Sequence, residues 1–182
     1  MPLPAGYRQF VTMIGDGGAG PYHGVFSLGE ALDRVAEWLG DLDPLGRDCP
    51  LATDIDFGEL VGRPDDWDEH VARLDSDPAY VARYERLTET YLGRPWVDGR
   101  LPIVDFGCGD WLFLVVRGDR RGTVWVDSVD SGTGLYCLEV DFPAFYQRWL
   151  DAELARVVGG GPRPNARYSF LAYGDNPRYQ PV

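Results

Sequence analysis

The chain has 182 residues, 45% of them hydrophobic, with 6 Trp, 10 Tyr and 8 Phe, which is enough to bury one substantial core and short for two domains. Its 29 acidic residues face 17 basic ones, all of them Arg, for a formal charge of -12. That balance disfavours nucleic acid and anionic membrane as partners, because both need a basic footprint to displace counterions, and it suits a basic partner as readily as plain solubility.

Leu3, Tyr7, Phe10, Val11 and Ile14 recur at helical spacing, so Gly6 to Ile14 is expected to form a short helix that stops at the loop holding Gly15, Gly17, Gly18 and Gly20. The chain opens at Met-Pro-Leu-Pro already inside this pattern, leaving an upstream helix absent or supplied by a longer parent protein. After an apolar stretch at Tyr22 to Phe26, Ser27 and Glu30 make a capping box. Leu28, Ala31, Leu32, Val35, Trp38 and Leu39 line one face of the helix that follows, and Gly40 ends it. Pro44, Gly46, Pro50 and Gly58 punctuate residues 41 to 62 too often for a long element, so that stretch reads as loop with a short strand at Cys49 to Thr53.

From Arg63 to Gly93 the texture turns charged and helical. One helix is expected from Asp65 to Leu74 and a second from Pro78 to Leu92, capped by Asp77 and stopped by Gly93. Tyr80, Tyr84, Leu87 and Tyr91 share a face of the second, and the pair reads as an excursion lying against a sheet. Strands are expected at Leu101 to Val104, Trp111 to Val116 and Thr123 to Asp127, the last two joined as a hairpin by Arg117 to Gly122. The continuous apolar run Leu112 to Val116 implies a strand covered on both faces. Val124 and Val126 alternating with Trp125 and Asp127 imply one wetter face. Asp141 then caps a helix with Phe142, Phe145, Trp149, Leu150 and Val157 as its buried stripe. The domain is read as residues 1 to 158, with the excursion at about 63 to 93. Residues 159 to 182 form a Gly- and Pro-rich tail that partly docks.

Little in the chain is arranged for chemistry. The loop Gly15-Asp-Gly-Gly-Ala-Gly20 follows a helix rather than a strand and lacks a Walker-type Lys, so it reads as a helix-exit loop and not a phosphate cradle. Gly107-Cys108-Gly109-Asp110 invites a nucleophile reading, but neither His23 nor His70 lies in a segment that reads as catalytic, and a buried thiol in a glycine turn fits better. Cys49, Cys108 and Cys137 match neither a disulfide framework nor a metal knuckle, which fits reduced thiols in a cytoplasm. Two histidines and scattered carboxylates lack metal-ligand spacing, and neither a metal nor another cofactor is expected. No run approaches the roughly 18 apolar residues of a membrane span, and no signal peptide opens the chain. Two acidic clusters stand out. Asp54, Asp56 and Glu59 form one, and Asp65, Asp66, Asp68 and Glu69 around Trp67 form the other. Each reads as a solvated face or as a surface presented to a basic partner.

The opening Leu3-Pro-Ala-Gly-Tyr7-Arg-Gln-Phe10 before a glycine loop resembles the Leu-Pro-x-x-Tyr-x-x-Phe pattern of the SUKH superfamily, which includes fungal cell-wall synthesis regulators and many bacterial homologues. Leu101-Pro-Ile-Val-Asp-Phe-Gly107-Cys-Gly-Asp110, Gly122-Thr-Val-Trp125 and the helix from Phe142 to Leu154 are similar to the rest of that pattern, so the resemblance spans most of residues 3 to 154. It implies a single-domain α+β fold with a curved, mainly antiparallel sheet packed by helices, and no enzymatic activity. Bacterial members are often immunity proteins that neutralise a cognate toxin of nuclease or deaminase type. The resemblance therefore implies a basic toxin as partner, covered at its active site by acidic and aromatic side chains. On this reading the contacts are Asp65, Asp66, Trp67, Asp68 and Glu69 on the excursion, with Trp125, Asp127 and Asp130 on the hairpin side. A regulatory adaptor that binds host proteins is the alternative, and a small hydrolase using Cys108 is the enzyme alternative.

Overall fold

A computed structural model describes residues 2–39, 43–64, 66–107 and 109–159. Helix α1 (Ala5–Gln9) runs into one π-helical turn (Phe10–Ile14), and α2 (Leu28–Leu39) follows the glycine loop. The capping box at its start forms as expected, with Ser27 N–H donating to Glu30 at 2.8 Å and Glu30 N–H donating to Ser27 Oγ at 3.2 Å. Strand β1 (Ile55–Asp56) and helix α3 (Phe57–Val61) come next, in the stretch that reads as loop, and the expected strand at Cys49 to Thr53 does not form. Two helices build the excursion, α4 (Trp67–Ser76) and α5 (Pro78–Leu92). Asp77 caps α5 as expected, accepting from the Ala79 and Tyr80 amides at 3.0 and 3.1 Å.

The sheet continues with β2 (Arg100–Gly107), β3 (Asp110–Val115), β4 (Thr123–Ser128) and β5 (Gly134–Asp141), and α6 (Phe142–Gly159) closes the described chain. The five strands lie in the order β1-β5-β4-β3-β2, and every pairing is antiparallel. The chain is therefore α+β, with an open sheet. Its β2 edge is partly covered, because Phe26 N–H donates to the Ile103 carbonyl at 2.9 Å and Val25 bridges Val104. No helix among the described residues is long and apolar enough to cross a membrane.

Strand alternation sends side chains to opposite faces, and both faces are buried. On one, Leu112, Leu114, Val124, Val126 and Leu138 pack against Tyr7, Phe10, Ala31, Phe142 and Phe145 from α1, the π-helical turn, α2 and α6. On the other, Phe113, Val115, Trp125 and Leu135 pack against Phe57, Val61 and Tyr80 from α3 and α5. Each large side chain buried this way contributes about 1.5–3 kcal/mol, so α3 and the excursion helix α5 together close the second face of the sheet. The expectation of a wetter face on β4 fails for that reason. Trp125 and Asp127, on the side given to solvent, are 0% and 5% exposed beneath the second layer of helices.

The stripe expected on α6 is buried only at its start. Phe142 and Phe145 are 1% and 0% exposed, whereas Leu150 and Val157 are 40% and 66% exposed, because the later turns have no sheet beneath them. The tail from residue 160 onward and the expected helix stop at Gly40 lie outside the described residues.

Candidate functional site

Two surfaces have the makings of a site, a cleft at one end of the sheet and the outward face of α4. The cleft encloses about 370 Å³ between the C-terminal ends of α2 and α5. Val35 and Trp38 of α2 form one wall, and Leu92 of α5 with Val97 of the following turn also lines it. Strands β2 and β3 contribute Pro102, Trp111 and Phe113, with the Trp38 and Trp111 rings meeting edge to face at 4.7 Å. Trp38 is 47% exposed, so its ring is accessible from solvent at the lip.

Register brings the charged side chains here. Trp111 pairs with Asp127 across β3 and β4, while Arg100 lies at the start of β2. The Arg100 guanidinium lies 3.7 Å over the Phe113 ring, donates to the Trp96 carbonyl at 3.2 Å and is ion-paired with Asp127. Asp127 also accepts from the Val129 amide at 3.2 Å. Both side chains are buried and their polar atoms are engaged, so the pair belongs to the fold and neutralises itself.

Asp130 differs. It lines the same cleft from the β4–β5 turn, and its carboxylate makes no hydrogen bond or ion pair among the described residues. Burial, followed by the nearby carboxylates of Asp127 and Asp110, pushes its pKa up. The turn before β3 fits closely against it. A Cβ on Gly109, whose φ is +83°, would stand 2.5 Å from Asp130 Oδ2, so glycine permits this approach. Asp110 is held by Ser131, whose Oγ donates to Oδ1 at 2.5 Å. Among the described residues, no three His, Cys, Asp or Glu side chains are placed to hold a metal ion.

On the second surface, α4 turns His70 inward, where its Nδ1 meets the Tyr80 hydroxyl at 2.8 Å, and burial together with Arg63 lowers its pKa. Trp67 lies over this ring at 5.0 Å yet is 61% exposed. Asp66 is the helix cap, accepting from the Glu69 amide at 2.8 Å, and Glu69 is paired with Arg73 at 2.6 Å. Asp68 alone of these three makes no hydrogen bond or ion pair among the described residues, and Asp65 lies outside them.

The eight residues expected to meet a partner therefore separate. Asp66, Trp67, Asp68 and Glu69 share an exposed helix start, and Asp130 faces the cleft. Trp125 and Asp127 are corrected. Trp125 is sealed under the excursion with its Nε1 donating to Thr123 Oγ1 at 2.9 Å, and Asp127 is committed to Arg100. The other acidic cluster proves structural in part, since Asp54 accepts from the Cys137 amide at 2.8 Å and Asp56 caps α3.

Trp38, Leu92, Val97 and Trp111 carry no cleft signal in the sequence, because each reads as an ordinary apolar position of its element. His23 is also closer to the end of β2 than its place in the sequence suggests. Its Nε2 lies 3.9 Å from where a Cβ on Gly107 would stand, and the next residue, Cys108, lies outside the described residues. Comparison of the chain with protein-family models, curated proteins and solved structures finds no match.

Proposed function

We propose that this chain is a non-enzymatic binding protein of the immunity type, which neutralises a cognate bacterial toxin of nuclease or deaminase class by covering its active site. The observation that carries this reading is the outward face of α4. A Trp67 ring 61% exposed stands among the carboxylates of Asp66, Asp68 and Glu69, on a helix fixed from behind by His70 and Tyr80. An exposed aromatic anchor flanked by the capping Asp66 and the uncommitted Asp68 suits a basic surface, where the ring supplies contact energy and the carboxylates speed and orient encounter. The resemblance to SUKH proteins and the charge of -12 favour the same kind of partner.

The test is capture of a partner by the tagged chain, followed by expression of that partner alone and together with this chain. One stoichiometric basic domain that arrests growth, and whose arrest is lifted by co-expression, supports the reading. Several host proteins with no toxicity favour the adaptor instead.

A thiol hydrolase is the second reading, favoured by His23 beside Gly107, the residue before Cys108 in the sequence. Alkylation of Cys108 across pH decides it. A thiolate present well below pH 8, and lost in His23→Ala, supports a Cys–His pair, whereas slow alkylation unaffected by that substitution removes it.

A further inference from the structure

The cleft between α2 and α5 is unlike the α4 face, because its walls are aromatic and aliphatic and its buried charges are paired, with the exposed Asp130 at its opening. Arg100 and Asp127 cancel within it, Ser131 holds Asp110, and Asp130 lines the space without a cation among the described residues. Arg34, which lies 5.8 Å from the Trp111 ring, is paired with Glu37 and supplies none. The cleft thus combines an accessible indole, an apolar slot and one uncompensated carboxylate. A guest that answers all three has a flat cation on an aliphatic stem. Guanidinium fits better than ammonium, since it stacks on aromatic faces, sheds water more readily and donates to a carboxylate in parallel. The protein already holds one this way, with the Arg100 guanidinium 3.7 Å over Phe113.

We infer that this cleft receives one arginine side chain of the bound protein partner, with its guanidinium between Trp38 and Asp130 and its stem against Leu92 and Val97. The partner as source rests on the function proposed above, whereas the recognition chemistry does not. A volume of about 370 Å³ accommodates a single long side chain and excludes a folded element, so the cleft acts as a socket within a larger interface.

The experiment titrates the full chain with N-acetyl-arginine amide, using N-acetyl-citrulline amide as the neutral isostere, and follows tryptophan fluorescence. Saturable binding is expected with a dissociation constant on the order of 1 mM, at least about tenfold tighter than for citrulline. Asp130→Asn and Trp38→Ala are each expected to weaken it about tenfold, while Asp119→Asn, at an exposed turn between β3 and β4, leaves it unchanged. Retained thermal melting shows that the variants fold. Equal binding of both probes, absence of saturation, or insensitivity to Asp130→Asn overturns the inference even if a toxin is captured. Arginine binding with partner affinity unmoved by either cleft variant assigns the cleft to a free guanidino compound and overturns the side-chain assignment.

Discussion

The Tyr84 hydroxyl donates to the Asp130 backbone carbonyl at 3.3 Å, tying the middle of α5 to the β4–β5 turn. The same Tyr84 ring lies 6.0 Å from His70 on α4 and packs edge-on against Phe57 at 5.4 Å. Tyr84 thus links the two acidic surfaces through the core that both rest on. Tyr84→Phe removes one hydrogen bond and keeps the ring, so a loss of about 1 kcal/mol in denaturant unfolding is expected, with looser seating of the Asp130 turn in hydrogen exchange.

Asp127→Ala leaves the Arg100 guanidinium buried without its counter-charge, and a loss of about 3–5 kcal/mol in urea unfolding is expected. Replacing both members, as Arg100→Met with Asp127→Leu, restores most of it, because neither charge then needs a partner. A double variant no more stable than Asp127→Ala would show that the pair does more than neutralise itself.

Asp130→Asn is expected to stabilise the protein at neutral pH. The folded state raises the pKa of this carboxyl, so it holds the proton more tightly than the unfolded chain does. Stability contributed by the protonated form is present below the ordinary carboxylate pKa and is lost as pH rises through the raised one. Solvent screening at this partly exposed group limits the gain to below about 1 kcal/mol, or a melting rise of no more than roughly 2–4 °C that vanishes in acid. A carboxylate kept where it weakens the fold is consistent with the arginine socket inferred for the cleft.

His70 works in the opposite direction. Its folded pKa lies below the ordinary 6.5, so the unfolded chain takes up a proton first as pH falls below that value, and stability declines across the window between the two. Melting curves of wild type and His70→Phe between pH 7.5 and roughly 5 are expected to converge toward acid, since only the wild type carries this penalty. Parallel curves would mean that the ring takes up its proton in place.

The acidic residues of α4 are expected to divide by role when their charge is reversed. Asp66→Arg removes the helix cap and lowers stability by about 1 kcal/mol. Asp68→Arg breaks no hydrogen bond or ion pair among the described residues and loses only the favourable first-turn interaction with the helix dipole, about 0.3–1 kcal/mol, so it is expected to weaken binding to a captured basic partner with at most a small drop in melting temperature. Trp67→Ala is expected to lower that affinity by at least tenfold if its ring is the anchor.

Helices that begin with a chemical signal were legible in the sequence. Ser27 with Glu30, and Asp77 before Pro78, each place a side-chain acceptor where the first amides need one, and α2 and α5 start there. Asp56 followed by Glu59 carried the same signal for α3, but Gly58 between them reads as a breaker. β5 is hidden in the sequence because Gly132 and Gly134 extend the look of a turn into it, although Leu135 to Leu138 is an apolar run of strand length. The cleft was not legible at all. It forms where residues distant in sequence converge, Trp38 from a helix end and Asp130 from a turn, and local periodicity carries no record of that meeting. The buried state of Trp125 and Asp127 depends likewise on the excursion folding back over a strand more than thirty residues away.

The excursion faces two ways, with Tyr80 turned to the core, His70 packed on α5, and Trp67 and Asp68 turned to water. These obligations fall on different residues of the same two helices. Substitutions on the outer side can therefore accumulate without loosening the interior, and one scaffold can be re-aimed at successive partners while its folding instructions stay intact.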